Sequence, residues 1–124
     1  MRVFVVDMSA AVRLRLAALV ASAGGEVSGE AVDLEVAAEL LPVLAPDVLV
    51  IGARLAGARL RELVVSAKLM EPAPAVIVLT SLEAPSLRHQ CLAAGADYII
   101  DKADAAHALV GILRMLSREP PASA

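Results

Sequence analysis

The feature that most restricts this chain is the way its apolar residues change period from segment to segment. Arg2-Val-Phe-Val-Val-Asp7 is a short, nearly continuous apolar run, the pattern of a strand buried on both faces. Asp47-Val-Leu-Val-Ile-Gly52 and Ala75-Val-Ile-Val-Leu-Thr80 repeat it, and Tyr98-Ile-Ile100 is a shorter version. Between these runs the apolar residues return every three or four positions, as on one face of a helix. Val12, Leu16, Leu19, Val20 and Ala23 mark a first helix, capped by Ser9 and ended by Gly24-Gly25. Leu34, Ala37, Ala38 and Leu41 mark a second, with Asp33 as its cap and Pro42 to Pro46 as its terminator. Leu60, Leu63, Val64 and Ala67 mark a third, broken by the Pro72-Ala-Pro74 turn. Pro85 to Ala94 form a fourth, closed by Gly95, and Leu109, Ile112, Leu113 and Leu116 a fifth. Glu26 to Ala31, of mixed polarity, predicts a weaker strand at a sheet edge.

Five strands alternating with five helices predict right-handed βαβ crossovers and an α/β fold, a parallel sheet with helices on both faces. A chain of 124 residues is one domain, expected over residues 1–117. Residues 118–124, within SREPPASA, lack periodicity and are expected to be a disordered tail or the start of a linker. The lone thiol, Cys91, suits a reducing cytoplasm. No run of about 18 apolar residues is present to span a membrane. The start, MRVFVVDMS, meets an acid too early for a signal-peptide core. Net charge −3 and 2% aromatic residues argue against a general nucleic-acid binder. These features predict a cytoplasmic domain with no membrane and no nucleic-acid partner.

In open α/β sheets ligands bind beyond the carboxyl ends of the strands. The residues there are Asp7 and Met8, Gly52, Thr80 and Ser81, and Asp101-Lys102. A carboxylate, a hydroxyl and an ammonium group converging on one pocket suggest recognition of a phosphoryl-like anion, with or without a cation.

VFVVDMS, PDVLVIGARLAG, VIVLTS and AGADYIIDK, in this order and at these separations, resemble the receiver domains of bacterial two-component response regulators, from about residue 2 to residue 116. LTSLEAPSLRHQCLAAGADYIIDK is similar to a subgroup of compact, often stand-alone receivers. The resemblance implies a three-layer, doubly wound, flavodoxin-like (βα)5 fold with strand order 2-1-3-4-5. It implies phosphoryl transfer from a histidine kinase to an aspartate ending the third strand. It also implies Mg²⁺ held by an acidic pair after the first strand, and phosphoryl oxygens held by the Thr or Ser after the fourth strand and the Lys after the fifth. The output surface it implies is made by the fourth helix, fifth strand and fifth helix.

The chain departs from that pattern where the chemistry is concentrated. The acceptor position carries Gly52, and the acidic pair is reduced to Asp7 and Met8, whose thioether is a soft, neutral ligand unsuited to Mg²⁺. The aromatic switch position is Ile99, with Tyr98 one place earlier, and Lys102 is followed by Ala103 where many receivers have proline. The loop RLAG lacks the proline common after the acceptor. Asp7, Thr80 and Lys102 survive, which makes the pocket formally neutral. A direct Asp7–Lys102 pair that holds one conformation without metal is the resulting expectation.

Plainer readings stand beside these. By position, Asp7 is equally a cap at the start of the first helix, Thr80 an ordinary strand end, Lys102 solvated unless Asp7 stands opposite, and Gly52 a turn or close-approach residue. Cys91, four residues after Leu87, reads as a small core residue, and His89 and His107, without metal-ligand spacing, as surface residues. Arg13 and Arg15 read as solvated, although the resemblance implies that the first helix docks the kinase or phosphotransfer partner. Leu69, Met70 and Met115 exceed what one stripe per helix needs, so their exposure would mark a partner or dimer surface.

The function expected is that of a degenerate receiver, a pseudo-receiver acting by phosphorylation-independent protein–protein interaction in phosphorelay signalling. Its expected partners are a histidine kinase, a phosphotransfer protein, another regulator or a second copy, through the helix 4–strand 5–helix 5 face. No cofactor is expected, with Mg²⁺ binding weak or absent. The alternatives are a receiver phosphorylated at a non-standard site, for which Asp7 is the nearby carboxylate, and a small-ligand sensor using vacated space at Gly52. An enzyme is not expected, because no activated nucleophile or positioned general base is present.

Overall fold

The strands form where branched apolar residues run together, and each run alternates its side chains between two separate cores. In the computed structural model, which describes residues 1–52, 58–80 and 85–118, these runs are β1 (Arg2–Val6), β3 (Val48–Gly52), β4 (Ala75–Thr80) and β5 (Tyr98–Asp101), with β2 (Glu26–Ala31) beside them. All pair in parallel in the order β2-β1-β3-β4-β5. The helices α1 (Ala10–Ser22), α2 (Leu34–Leu44), α3 (Ala58–Lys68), α4 (Pro85–Ala94) and α5 (Ala105–Arg118) connect and cover them, with a 3₁₀ turn, Lys102–Asp104, before α5. This is the predicted α/β architecture, including the strand order.

Phe4, Val6, Leu49, Ile51, Val76 and Val78 face the core under α2, α3 and α4. Val3, Val5, Val48, Val50, Ile77 and Leu79 face the one under α1 and α5. The period of two along each strand therefore fills both layers, which is why β3 and β4 carry no polar residue before their carboxyl ends. Strand β2 lies at the edge, as its mixed polarity predicts, and its register with β1 slips between Val3 and Phe4, which pair with Val27 and Gly29. Such a bulge twists an exposed edge away from further pairing.

The helix starts follow their caps. Ser9 Oγ accepts from Val12 N at 3.3 Å and Asp33 Oδ1 from Val36 N at 2.8 Å. Helix α2 ends within the Pro42–Pro46 stretch, as expected from the sequence, running through Pro42 to Leu44 and closing in Ala45 at φ 42°. Proline in the last turn forfeits a single N–H bond. Leu41 is buried, and Leu44 packs so closely on β2 that a Cβ at Gly29 would overlap its methyl group. That packing, with the Ala45 N–H donating to the Leu41 carbonyl at 3.0 Å, carries the helix past the proline. Helix α5 includes Arg118, one residue into the segment expected to be tail, and residues 119–124 lie outside the described residues. No helix among the described residues is long and apolar enough to cross a membrane.

Candidate functional site

The register brings the carboxyl ends of the strands level. Val6 pairs with Ile51 and Ala31, Gly52 with Leu79, and Thr80 with Asp101. Residues after β1, β3, β4 and β5 therefore surround one end of the sheet, where the sequence places its candidate pocket. Ser81 and the RLAG loop fall outside the described residues.

Asp7 is the centre of this end and is 1% exposed. Its N–H donates to the Ala31 carbonyl at 3.1 Å, which continues the β1–β2 ladder one residue beyond the strand. Its Oδ1 accepts from Ser9 N at 2.8 Å, so the plainer reading of Asp7 as a residue that shapes the entry to α1 holds alongside its place in the pocket. Its carbonyl accepts from Arg13 Nη1 at 2.7 Å. Its Oδ2 is buried and has no hydrogen-bond partner among the described residues. A buried carboxylate oxygen without a partner is costly, because desolvation is uncompensated.

Gly52 explains where that oxygen has gone. A Cβ at Gly52 would overlap Asp7 Oδ2 and stand 2.9 Å from Asp7 Cγ. The backbone there does not need glycine, since the positive-φ glycines among the described residues are Gly24 and Gly95. Close approach is thus the reason for Gly52, and what approaches is the Asp7 side chain rather than a backbone. The space beside Gly52, expected to be vacant in the sensor alternative, holds the Asp7 carboxylate.

The expected Asp7–Lys102 pair does not form. Among the described residues Asp7 Oδ2 has no partner, and the ion pairs involve other residues. Lys102 is half-buried and opens the 3₁₀ turn, which Asp101 Oδ1 caps by accepting from Ala103 N at 3.0 Å. The main-chain and Ser9 contacts of Asp7 hold its carboxylate toward Gly52 at the end of β3, away from an ion pair with Lys102. Thr80 is buried, at 1% exposure.

Met8 is 53% exposed, and its thioether is a soft, neutral ligand unsuited to Mg²⁺. The family resemblance implies Mg²⁺, whose small octahedral shell wants several hard oxygens. The described residues contain no group of three or more His, Cys, Asp or Glu side chains able to hold a metal ion. At this end of the sheet they supply Asp7, with one oxygen engaged by Ser9 and the other against Gly52, and Asp101, whose Oδ1 accepts from Ala103 N. This set does not fit a resident Mg²⁺ ion.

Ile99 is half-buried against the core under α2–α4, whereas Tyr98 packs on the opposite face with the α1–α5 core. The neighbouring aromatic ring therefore cannot stand in for one at Ile99, because adjacent strand residues face opposite layers. Cys91 is 1% exposed and packs with Leu87 in the core, as expected, and burial pushes its thiol pKa up. His89 and His107 are exposed. Leu69 and Met115 are exposed, while Met70 packs against the core.

Arg13 is the residue that the sequence reading undervalued. Arg15 is exposed as expected, but the Arg13 side chain is only 19% exposed and its Nε meets Glu30 Oε1 at 3.3 Å. Its spacing carried the signal. Arg13 precedes Leu16 by three positions and Val20 by seven, which puts it on the buried face of α1, and Arg15 is not on that face.

Comparison with known proteins agrees with this geometry. The response regulator receiver domain family matches residues 3–114. The signal receiver domain of the response regulator NarL from Mycobacterium tuberculosis superposes with a TM-score of 0.81 at 24% identity, covering 95% of this chain and 97% of that one. The response regulator domain of Thermotoga maritima CheB superposes with a TM-score of 0.76 at 27% identity, covering 97% and 98%. A DNA-binding response regulator of the LuxR family from Staphylococcus aureus superposes with a TM-score of 0.82 at 15% identity, covering 94% and 98%. Curated proteins returned no match.

Proposed function

Because this chain belongs to the response regulator receiver family, and is thus a receiver domain of two-component signalling, we propose that it works as a pseudo-receiver. It signals by binding other proteins and not by carrying a phosphoryl group. The single observation behind this reading is the pairing of Gly52 with Asp7. The position that ends β3 has no side chain to phosphorylate, and the adjoining space holds the carboxylate of Asp7. Phosphoryl transfer needs a nucleophile in line with the donor, with cations and hydrogen-bond donors around the three equatorial oxygens. Thr80 and Lys102 are the residues suited to holding such oxygens, but they stand around no acceptor.

Asp7 is a poor replacement acceptor. It is 1% exposed, and one carboxylate oxygen accepts from Ser9 N while the other abuts Gly52. Mg²⁺ binding is weak or absent on this reading, because one constrained carboxylate and an exposed thioether supply too few hard donors. The chain has no enzymatic role of its own. Its partners are signalling proteins of the same pathway: a kinase, a phosphotransfer protein, another regulator or a second copy. Net charge −3 supports a protein partner rather than nucleic acid. Leu92 on α4 and Met115 on α5, 50% and 41% exposed, are apolar candidates for that contact.

The test is the intact mass after incubation with acetyl phosphate, with and without Mg²⁺, beside Asp7→Asn and an intact receiver as control. The expected result is no Mg²⁺-dependent phosphoryl adduct. An adduct that disappears in Asp7→Asn would overturn the proposal and make Asp7 a relocated acceptor.

A further inference from the structure

The overlap between Asp7 and a Cβ at Gly52 would mean little if the Asp7 side chain could swing away, because the atom involved is the free end of a carboxylate. The surrounding contacts decide the matter. Asp7 is tied at its N–H by the Ala31 carbonyl, at Oδ1 by Ser9 N at 2.8 Å, and at its carbonyl by Arg13 Nη1 at 2.7 Å. The same guanidinium reaches Glu30 at 3.3 Å, near the end of the neighbouring strand. One planar fork thus joins α1, the β1–α1 turn and β2, a geometry that a lysine ammonium cannot reproduce with two separate nitrogens.

We infer that Asp7 is a plug for the acceptor cavity, held in place by an Arg13–Glu30 strap, and that Gly52 is the cavity wall it requires. Rotating the carboxylate away from Gly52 breaks the bond from Ser9 N and exposes the cavity. Moving the whole turn breaks the Arg13 strap. The turn after β1 is therefore confined to one arrangement, in which an Asp7 Oδ2 without a partner among the described residues is tolerated because the turn around it is over-determined. Arg13 acts here as a positioning residue for Asp7. This inference rests on the reading of the site as a pocket that transfers no phosphoryl group and adds the device that keeps it shut.

The experiment is a double-mutant cycle between positions 7 and 52, read by thermal melting of the full chain. Gly52→Ala is expected to lower the melting temperature by roughly 5–15 °C, the range for overpacking one methyl group in a domain of this size. In an Asp7→Ala background the same substitution is expected to cost less than half as much. Equal drops in the two backgrounds, or a Gly52→Ala protein that melts like the parent, would overturn the plug. Should Asp7→Ala not fold, Asp7→Ser takes its place, since it removes both carboxylate oxygens, including the Oδ2 that overlaps a Cβ at Gly52.

The strap has its own readout, amide hydrogen exchange at Ser9. Arg13→Met keeps the aliphatic stem and removes the fork. It is expected to speed exchange at Ser9 roughly tenfold, the factor for losing one hydrogen bond to a charged group, with exchange at Val20 unchanged. Arg13→Lys is expected to restore little of this protection. Unchanged Ser9 exchange in Arg13→Met would overturn the strap. A phosphoryl adduct would sink the proposed function and leave this coupling in place, whereas additive melting shifts would sink the plug and leave the adduct result in place.

Discussion

Two aspartates sit at opposite ends of the same parallel sheet, and their surroundings differ in kind. Asp97, just before β5, has its N–H and its Oδ2 matched. Its N–H donates to the Val76 carbonyl at 2.9 Å, and its Oδ2 accepts from Val76 N and from Lys68 Nζ, both at 2.8 Å. Lys68 Nζ also donates to the Pro74 carbonyl at 3.0 Å. Asp7, just after β1, is more deeply buried yet has one oxygen without a partner among the described residues. The amino end of the sheet is stitched as a structural joint, while the carboxyl end keeps a buried carboxylate oxygen without a hydrogen-bond partner among the described residues. Polar groups placed for stability find partners, and those left without one mark the end of an α/β sheet where function collects.

The largest expected effect comes from crowding the second carboxylate. Gly52→Asp is expected to lose about 3 kcal/mol or more in urea denaturation, because it adds volume and a second buried anion against Asp7. Two carboxylates in contact raise the proton affinity of the folded state above that of the unfolded chain. The deficit relative to the parent should therefore shrink as the pH falls toward about 4 and grow as it rises. A loss under about 1 kcal/mol would show that Asp7 yields freely and that the two ends differ less than their contacts indicate.

A smaller loss is expected at the satisfied end. Asp97→Ala should cost about 1–2 kcal/mol, since it strands Val76 N and one Lys68 contact in a pair that is itself partly solvated, with side-chain exposures of 36% and 27%. At the other end, Asp7→Asn should stay within about 1 kcal/mol of the parent. It keeps an acceptor for Ser9 N and removes a buried charge. If Asp7→Asn destabilised the domain more than Asp97→Asn, the contrast would be reversed. The exposed Arg59–Glu35 pair belongs to neither end, and Arg59→Ala is expected to leave the denaturation midpoint unchanged.

Most of the architecture was legible in the residues. Buried runs such as Val48–Ile51 and stripes such as Leu60, Leu63, Val64 and Ala67 bury the faces their periods predict. The caps Ser9 and Asp33 start the helices that follow them. The stretch from Pro42 to Pro46 ends α2, but the packing of Leu44 on Gly29 decides where inside it, which a local rule about a missing N–H does not include. At the strand ends, the sequence sets Asp7, Thr80 and Lys102 after β1, β4 and β5, but the expected partner of Asp7 was Lys102, whereas its carboxylate lies against Gly52.

That error has a plain physical cause. Sequence by itself determined which side chains the chain carries to the strand ends, because hydrophobic period and burial act residue by residue along each element. It also determined that Gly52 cannot carry a phosphoryl group, since that follows from composition alone. Only the tertiary structure decided that Asp7 turns toward Gly52 and not toward Lys102, and that Arg13 ties the turn down. A carboxylate's direction is set by hydrogen bonds of about 3 Å from three separate elements, and no spacing along one chain encodes that convergence.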